Sequence, residues 1–205
     1  SSENYGNDLY SMYDTVNIIV DTFTVKYPTE YHAEGIGNFN FDILSGKILQ
    51  TDADLYVSPS GNDTNTGLTP DDPLRTIRSA YSRLRADSSH INAVHLANGL
   101  YSPSTGYQFP LNLINFSNLS GESMENTILN AEGASSVIIL RNDTVSLIEK
   151  LTIKGGGNIY DGGGIYSRDS EFHGRDLLIT ENTSTYDGGG ISIFNNEKCS
   201  LENSF

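Results

Sequence analysis

The sequence predicts an all-β chain that winds as a solenoid, in which short strands from successive turns stack on one another. The hexapeptide Tyr-Asp-Gly-Gly-Gly-Ile occurs twice, at residues 160–165 and 186–191. From residue 93 onward, short apolar runs alternate with polar turns, and each run is too short for a helix but long enough for a strand. The chain has 20 glycines and only 19% charged residues, a composition typical of many turns and short strands.

The repeat extends beyond the hexapeptide at a constant offset of 26 residues. Shifting the chain by this offset aligns Leu151 with Leu177 and Ile165 with Ile191. Internal repetition at a period of roughly 20–50 residues is typical of solenoids. We therefore expect Ile165 and Ile191 to point inward on neighbouring turns, about 4.8 Å apart.

The two triple-glycine segments are predicted to form one corner of the coil on two successive turns. Glycine reaches positive φ without steric cost and allows two backbones to approach closely, as a tight stacked corner requires. The predicted corner residues are Gly162, Gly163, Gly164, Gly188, Gly189 and Gly190.

Residues 1–50 are predicted to form an N-terminal β extension or linking segment. Within them, residues 15–27 and 37–49 alternate between apolar and polar side chains, which indicates strands. Three interpretations stay open at this point: a small β cap, a strand donated to a neighbouring chain, or the tail of an upstream domain.

Residues 54–205 are predicted to form the solenoid, with rungs from about residue 93. A helix over about residues 72–86 precedes the rungs, with Asp71 or Asp72 as its cap and Pro73 in its first turn. Its apolar stripe comprises Leu74, Ile77, Tyr81 and Leu84. We expect this helix to cap the first turn.

The charge of the chain excludes some partners. The formal net charge is −14, and such an acidic surface repels phosphates, so we expect no nucleic-acid partner. No apolar run reaches the roughly 18 residues that a membrane span needs, so we expect no membrane insertion. Cys199 is the only cysteine, which excludes a disulfide within the chain and a cluster of thiolate ligands.

Two segments resemble a known group of proteins. YVSPSGNDTNTGLTPDDPLRTIRSAYSRL at residues 56–84 and NLSGESMENTILNA at residues 118–131 resemble the opening and the rungs of secreted right-handed parallel β-helix proteins of the pectin-lyase-like superfamily. The Gly-Gly-Ile repeats are similar to those of polymorphic outer-membrane adhesins. The resemblance implies a right-handed parallel β-helix and a secreted or cell-surface, bacterial protein. We expect the natural chain to continue beyond Phe205, or another subunit to cover its last turn.

A structural or adhesive role is the function that the sequence favours. The chain would assemble with itself, for example into filaments, through its N-terminal strands or the open end of the β-helix. Two alternatives stay open: a polysaccharide lyase or hydrolase acting on acidic glycans, and a carbohydrate-binding module. No catalytic residues are assigned, because no acidic and basic residues match a lyase motif, and the sequence favours a protein that is not an enzyme.

Candidate calcium ligands occur at two places. Asp161 and Asp187 would lie one turn apart, and two carboxylates at that distance repel unless a cation or hydrogen bonds intervene. Asp63, Asp71 and Asp72 belong to an oxygen-rich loop that could surround Ca²⁺. The alternative for Asp161 and Asp187 is that each carboxylate accepts backbone N–H groups of its own glycine corner. The alternative for the loop is a plain structured loop that leads into the helix cap.

Tyr160 and Tyr186 precede the two aspartates of the repeated hexapeptide. We expect their rings to stack on successive turns, where they could bind a sugar. A carbohydrate-binding role would use this pair.

Overall fold

The computed structural model describes residues 15–28, 39–142, 147–158, 162–195 and 198–205. The chain divides into two compact units, residues 1–50 and 51–205, and each is considered by itself.

The first unit contains one parallel pair of strands, β1 (Val16–Val25) and β2 (Phe39–Ile48). Both segments that alternate in the sequence are therefore strands. Phe39 and Ile43 of β2 are buried. Polar side chains also stack between the strands, since Asn40 Nδ2 donates to Asn17 Oδ1 at 3.1 Å.

The second unit is built from short strands and one helix. The earlier strands, in chain order, are β3 (Leu55–Val57), β4 (Asn92–Leu96), β5 (Gly99–Tyr101), β6 (Leu111–Asn112), β7 (Ser117–Gly121), β8 (Thr127–Asn130) and β9 (Ile138–Arg141). The later strands are β10 (Leu147–Lys154), β11 (Gly157–Asn158), β12 (Ile165–Arg168), β13 (Phe172–Thr180), β14 (Thr183–Ser184), β15 (Ile191–Phe194) and β16 (Cys199–Glu202). Helix α1 covers Ile77–Arg83, and a 3₁₀ turn covers Pro103–Thr105.

The strands of the second unit stack in parallel sheets along a solenoid, as predicted. The long sheet has the order β3-β4-β7-β10-β13-β16, with β5 and β8 beside it. A second sheet has the order β6-β9-β12-β15, and β11 pairs with β14. Neighbours in a sheet are separated in sequence by one whole turn, so the six strands of the long sheet mark about six turns.

Apolar side chains from successive turns form ladders inside the coil. One ladder runs along the long sheet through Leu55, Val94, Leu119 and Ile148, which are all fully buried. Burying one such side chain contributes about 1.5–3 kcal/mol. A second ladder lies on the other sheet, where Ile165 pairs with Ile191 as predicted.

Corners of the coil are formed by residues in the left-handed backbone conformation. One corner repeats on three turns, at Lys150, Asp176 and Asn203, with φ of 55°, 51° and 48°. A second corner repeats at Asn142, Asp169 and Asn195, with φ of 57°, 51° and 52°. Asn and Asp adopt this conformation more readily than most residues, which explains their recurrence at the second corner.

Helix α1 is shorter than the predicted helix over about residues 72–86. It covers Ile77–Arg83 and is capped by Thr76, whose side chain accepts a hydrogen bond from a backbone N–H of the first turn. The prediction that Asp71 or Asp72 caps the helix is wrong. In the described part of the chain, no helix is long and apolar enough to span a membrane.

Leu74 is the physical reason for the late start of the helix. Its backbone N–H donates to Tyr56 O at 2.8 Å, and its carbonyl oxygen accepts from Ser58 N at 2.9 Å. These bonds place Leu74 beside the end of β3 in an isolated bridge with Val57. A residue that is held in this way by a strand cannot also begin a helix.

Candidate functional site

One outward-facing position of the long sheet repeats on every turn. The residues in this register, here called the outer row, are Tyr56, His95, Ser120, Glu149, Arg175 and Glu202. Successive side chains in a strand point to opposite faces, and the residues preceding those of the first four turns are the buried apolar ladder. The outer row is therefore a line of aromatic, polar and charged groups on the outer face of the sheet, in which Ser120 and Glu149 are largely buried.

The outer row is aromatic at its N-terminal end, on the first two turns. The rings of Tyr56 and His95 are stacked, with centres 5.0 Å apart and planes inclined by 23°. His95 Nε2 donates to Asp54 Oδ2 at 2.9 Å, which fixes the plane of the imidazole ring. The stacked pair forms a rigid platform that is partly exposed.

A groove of about 450 Å³ lies beside this platform. Tyr56 and His95 line the groove together with Pro70 and Pro73 of the loop that follows β3, and Glu122 contributes a carboxylate. Concave sites with apolar and aromatic walls and a few polar groups are the usual form of ligand sites.

The loop beside the groove is held in place by its own aspartate and by an arginine of α1. Asp63 Oδ1 accepts from the backbone N–H groups of Arg75 and Thr76, both at 2.9 Å. The Arg83 guanidinium donates to the backbone oxygens of Asn65, at 2.8 Å, and of Asp63. These bonds tie the loop to the helix, so the groove is pre-formed.

The loop aspartates that were predicted as calcium ligands therefore make hydrogen bonds of their own. Besides Asp63, Asp72 Oδ2 accepts from Thr66 N at 3.0 Å and from Thr66 Oγ1 at 2.6 Å. These bonds hold the pKa of Asp72 below its ordinary value. Asp71 is exposed. Among the residues that the structure describes, no three His, Cys, Asp or Glu side chains lie close enough to hold a metal ion, and calcium stays a prediction.

The repeated hexapeptide is described only in part. Tyr160 and Asp161 lie outside the described residues, so their pairing with Tyr186 and Asp187 stays a prediction. Tyr186 is 70% exposed, and Asp187 is also exposed.

The triple glycines lie on successive turns. The predicted corner residues are Gly162, Gly163, Gly164, Gly188, Gly189 and Gly190. Gly164 N donates to Gly189 O at 3.0 Å, and Gly162 and Gly188 have φ of 68° and 64°.

The middle of the outer row is an ion pair. Ser120 Oγ donates to Glu149 Oε1 at 2.9 Å, and Arg175 Nε donates to Glu149 Oε2 at 3.1 Å. The Glu149 side chain is only 11% exposed. Burial by itself would raise the pKa of Glu149, but the hydrogen bonds from Arg175 and Ser120 outweigh burial and lower it.

Replacing this carboxylate should make the fold less stable at neutral pH. Glu149→Gln removes the charged partner of Arg175, and we expect a loss of about 1–3 kcal/mol in the free energy of unfolding at pH 7. Because the folded pKa of Glu149 lies below 4.5, its contribution is present above pH 4.5 and disappears as pH falls through the folded pKa.

Urea denaturation at several pH values measures this difference. Glu125→Gln, at an exposed position, serves as the control and should change stability by less than about 0.5 kcal/mol. If the difference in the free energy of unfolding between Glu149→Gln and the unchanged protein becomes larger in acid, the role given to Glu149 is contradicted.

The outer row and the neighbouring Asp54 include residues of the kind that hydrolases use. Asp54 is bonded to His95, and His95 is the direct neighbour of Ser120 on the adjacent strand. An acid, a histidine and a serine thus follow one another in space, as in a charge relay. A nucleophilic serine needs a hydrogen bond to its base, and Ser120 Oγ donates to Glu149 instead. His95 is therefore not hydrogen-bonded to Ser120 as the base of a charge relay would be.

Sequence analysis did not find the outer row. Arg175 and His95 appear in the sequence as isolated residues, and only the register of the strands brings them into one line. The available signal was weak: except for Arg175, each member stands between two apolar residues or beside one within a short strand.

Comparison with known proteins adds a family and one relative. A sequence model of the family described as "Protein of unknown function (DUF1565)" matches residues 59–203. The metabotropic glutamate receptor-like protein P of Dictyostelium discoideum is 31% identical to the chain over 147 residues. The matched part is 68% of this chain and only 10% of that relative. No solved structure matches the chain significantly.

Proposed function

Since the chain belongs to the DUF1565 family of proteins of unknown function, we propose its function from its geometry. It is a surface or extracellular β-solenoid that binds carbohydrate, without cleaving it, in the groove beside the outer row. The receptor-like name of its relative supports an extracellular location. A right-handed β-helix of the pectin-lyase-like superfamily, a bacterial source and an adhesive role belong to the same proposal.

The observation that carries the proposal is the stacked pair of Tyr56 and His95 at the groove. The flat face of an aromatic ring packs against the C–H face of a sugar ring, while the ring edges and neighbouring polar groups bond its hydroxyls. Asp54 and Glu122 supply acceptors beside the platform. Aromatic area and acceptors together match a neutral sugar.

The direction of the outer row supports a linear ligand. Strands of neighbouring turns are about 4.8 Å apart, a spacing close to the length of one sugar unit in an extended chain. A polysaccharide lying along the row would meet Tyr56 and His95 on two successive turns, beside the largely buried Ser120 of the groove wall. The contact points of these two turns are thus spaced by about one sugar unit.

Self-association stays a proposal and is supported by the first unit. An isolated two-stranded sheet is rarely stable in water, and Ile19 on β1 is 72% exposed. A second copy that covered this side chain would stabilise the unit. Sedimentation equilibrium of the chain over a range of concentrations measures the association.

Loss of the aromatic platform should weaken carbohydrate binding. We expect Tyr56→Ala to raise the Kd for a bound neutral oligosaccharide about tenfold, because stacking of one aromatic ring is worth on the order of 1 kcal/mol or more. Isothermal titration calorimetry with a panel of neutral oligosaccharides measures the effect.

Tyr186→Ala tests the other candidate site, the tyrosine pair predicted at the triple-glycine corner, because Tyr186 is exposed and does not line the groove. If the glycan binds in the groove, this variant keeps the Kd of the unchanged protein. If no oligosaccharide of the panel binds, or if Tyr186→Ala weakens binding while Tyr56→Ala does not, the groove is not the site. Release of shortened or unsaturated products from a bound glycan would contradict binding without cleavage.

A further inference from the structure

The outer face of the second sheet carries two arginines in register. Arg141 on β9 is the direct neighbour of Arg168 on β12, and Arg168 is the direct neighbour of Phe194 on β15. The guanidinium of Arg141 lies 5.8 Å from the centre of the Tyr166 ring, and that of Arg168 lies 5.4 Å from the centre of the Phe194 ring. We call these four residues the arginine face.

Two positive charges at directly opposite positions of neighbouring strands are unfavourable. Their pairing is unexpected in this chain, where 26 acidic residues outnumber 12 Lys and Arg residues. Arg168 Nε donates to Asp169 Oδ2 at 3.2 Å, but the two side chains are 54% and 36% exposed. An ion pair this exposed to water is weak, so it offsets little of the repulsion between the two arginines. Within the described ranges of the chain, Arg141 has no ion-pair partner.

From this arrangement we propose that the arginine face is a second carbohydrate subsite, specific for sugars that carry a carboxylate. An anion placed between Arg141 and Arg168 removes their repulsion, and the planar guanidinium group binds a carboxylate through two parallel hydrogen bonds. Tyr166 and Phe194 supply ring faces for the sugar itself. A uronic acid unit combines both features.

The arginine face and the groove differ in charge, which separates their ligands. Glu122 lines the groove and Asp54 is bonded to His95 of its wall, and both carboxylates repel a carboxylate ligand, whereas the arginine face attracts one. Acidic units of a glycan would therefore bind to the second sheet and neutral units to the groove. This inference rests on the proposed function, because it names the class of glycan that the chain recognises.

The test uses a hexasaccharide of galacturonic acid and the neutral hexasaccharide obtained by reducing its carboxyl groups. Calorimetry of the whole chain should show that Arg141→Gln and Arg168→Gln each raise the Kd of the acidic hexasaccharide about tenfold, the usual effect of losing a charged hydrogen bond. Arg78→Gln is the matched control, since Arg78 is an exposed arginine on α1 with the same charge, and it should change nothing. Added salt should weaken the acidic hexasaccharide only.

Each result decides between the two proposals. If the acidic hexasaccharide binds with the same Kd to Arg141→Gln, Arg168→Gln and Arg78→Gln, or fails to bind while a neutral glycan binds at Tyr56, the arginine face is not a subsite and the proposed function stands. If no glycan binds, both proposals fail. A sulfated hexasaccharide that binds more tightly than the galacturonate would overturn the choice of carboxylate. Circular dichroism of each variant confirms that the solenoid is intact.

Discussion

Phe172→Ala should destabilise the solenoid by about 3–5 kcal/mol, the usual cost of removing a buried aromatic side chain. Phe172 is fully buried at the start of β13 and belongs to the continuous apolar core. The substitution leaves a cavity between turns, and the turns on either side are joined by backbone hydrogen bonds that prevent the space from closing. A loss of this size approaches the whole stability of a typical domain.

Phe194→Ala is the control, because the same side chain is removed from the same coil at an outward-facing position that is 59% exposed. Its cost should be less than about 1 kcal/mol. Guanidinium denaturation of both variants gives the two values. Equal losses for Phe172→Ala and Phe194→Ala would show that the interior of the coil is not packed as described.

Gly164→Ala should cost about 2–3 kcal/mol, because the added methyl group has no space between two turns. A Cβ atom at Gly164 would lie 2.4 Å from the backbone oxygen of Gly190 on the next turn. That oxygen accepts the N–H of Ile165 at 2.8 Å, so the backbone cannot move without breaking the ladder. The effect is steric rather than conformational, since Gly164 does not have a positive φ.

Gly190→Ala tests the same motif position one turn later. A Cβ atom at Gly190 would meet only a methyl group of Ile179, at 3.6 Å, which is an ordinary contact. We expect a change of less than about 0.5 kcal/mol for this variant. Thermal unfolding of the pair measures the contrast, and a Gly190→Ala variant as unstable as Gly164→Ala would mean that the two corners do not stack in this order.

The solenoid itself was predictable because apolar residues recur in the sequence at the period of the coil. Ile165 and Ile191 repeat after 26 positions, and the structure pairs them. A buried ladder tolerates only apolar side chains of similar size, so the same residue types return on each turn. Glycine at the corner has a steric reason at Gly163 and Gly164, where a side chain would meet the backbone of the next turn.

The outer row was not predictable, because surface positions carry no constraint that repeats. Tyr56 and His95 are 39 positions apart, while His95 and Ser120 are 25 apart. The larger gap contains the loop and α1, which the coil excludes from its sheets. An alignment of the chain at one fixed offset therefore cannot bring these residues together.

Two local features also escaped prediction, each because tertiary contacts replace local preference. Leu74 fits the apolar stripe of a helix, but its backbone bonds to β3. Lys150 adopts φ of 55° at a corner where Asn, Asp or Gly would be expected, since it lies in register with Asp176 on the next turn. In both places the stack of turns determines the backbone conformation.

The core, the corners and both surface sites depend on the register between successive turns, and a disulfide measures that register directly. In a chain in which Cys199 is replaced by Ser, Tyr166→Cys and Ser192→Cys place two thiols on directly paired residues, within the distance that a disulfide spans. Oxidation should cross-link this pair within one chain. In the second variant, Tyr166→Cys with Phe194→Cys, the two substituted positions are about 8 Å apart, and these cysteines should stay reduced. Cross-linking of the displaced pair in preference to the matched pair would contradict the stacking on which the outer row and the arginine face are built.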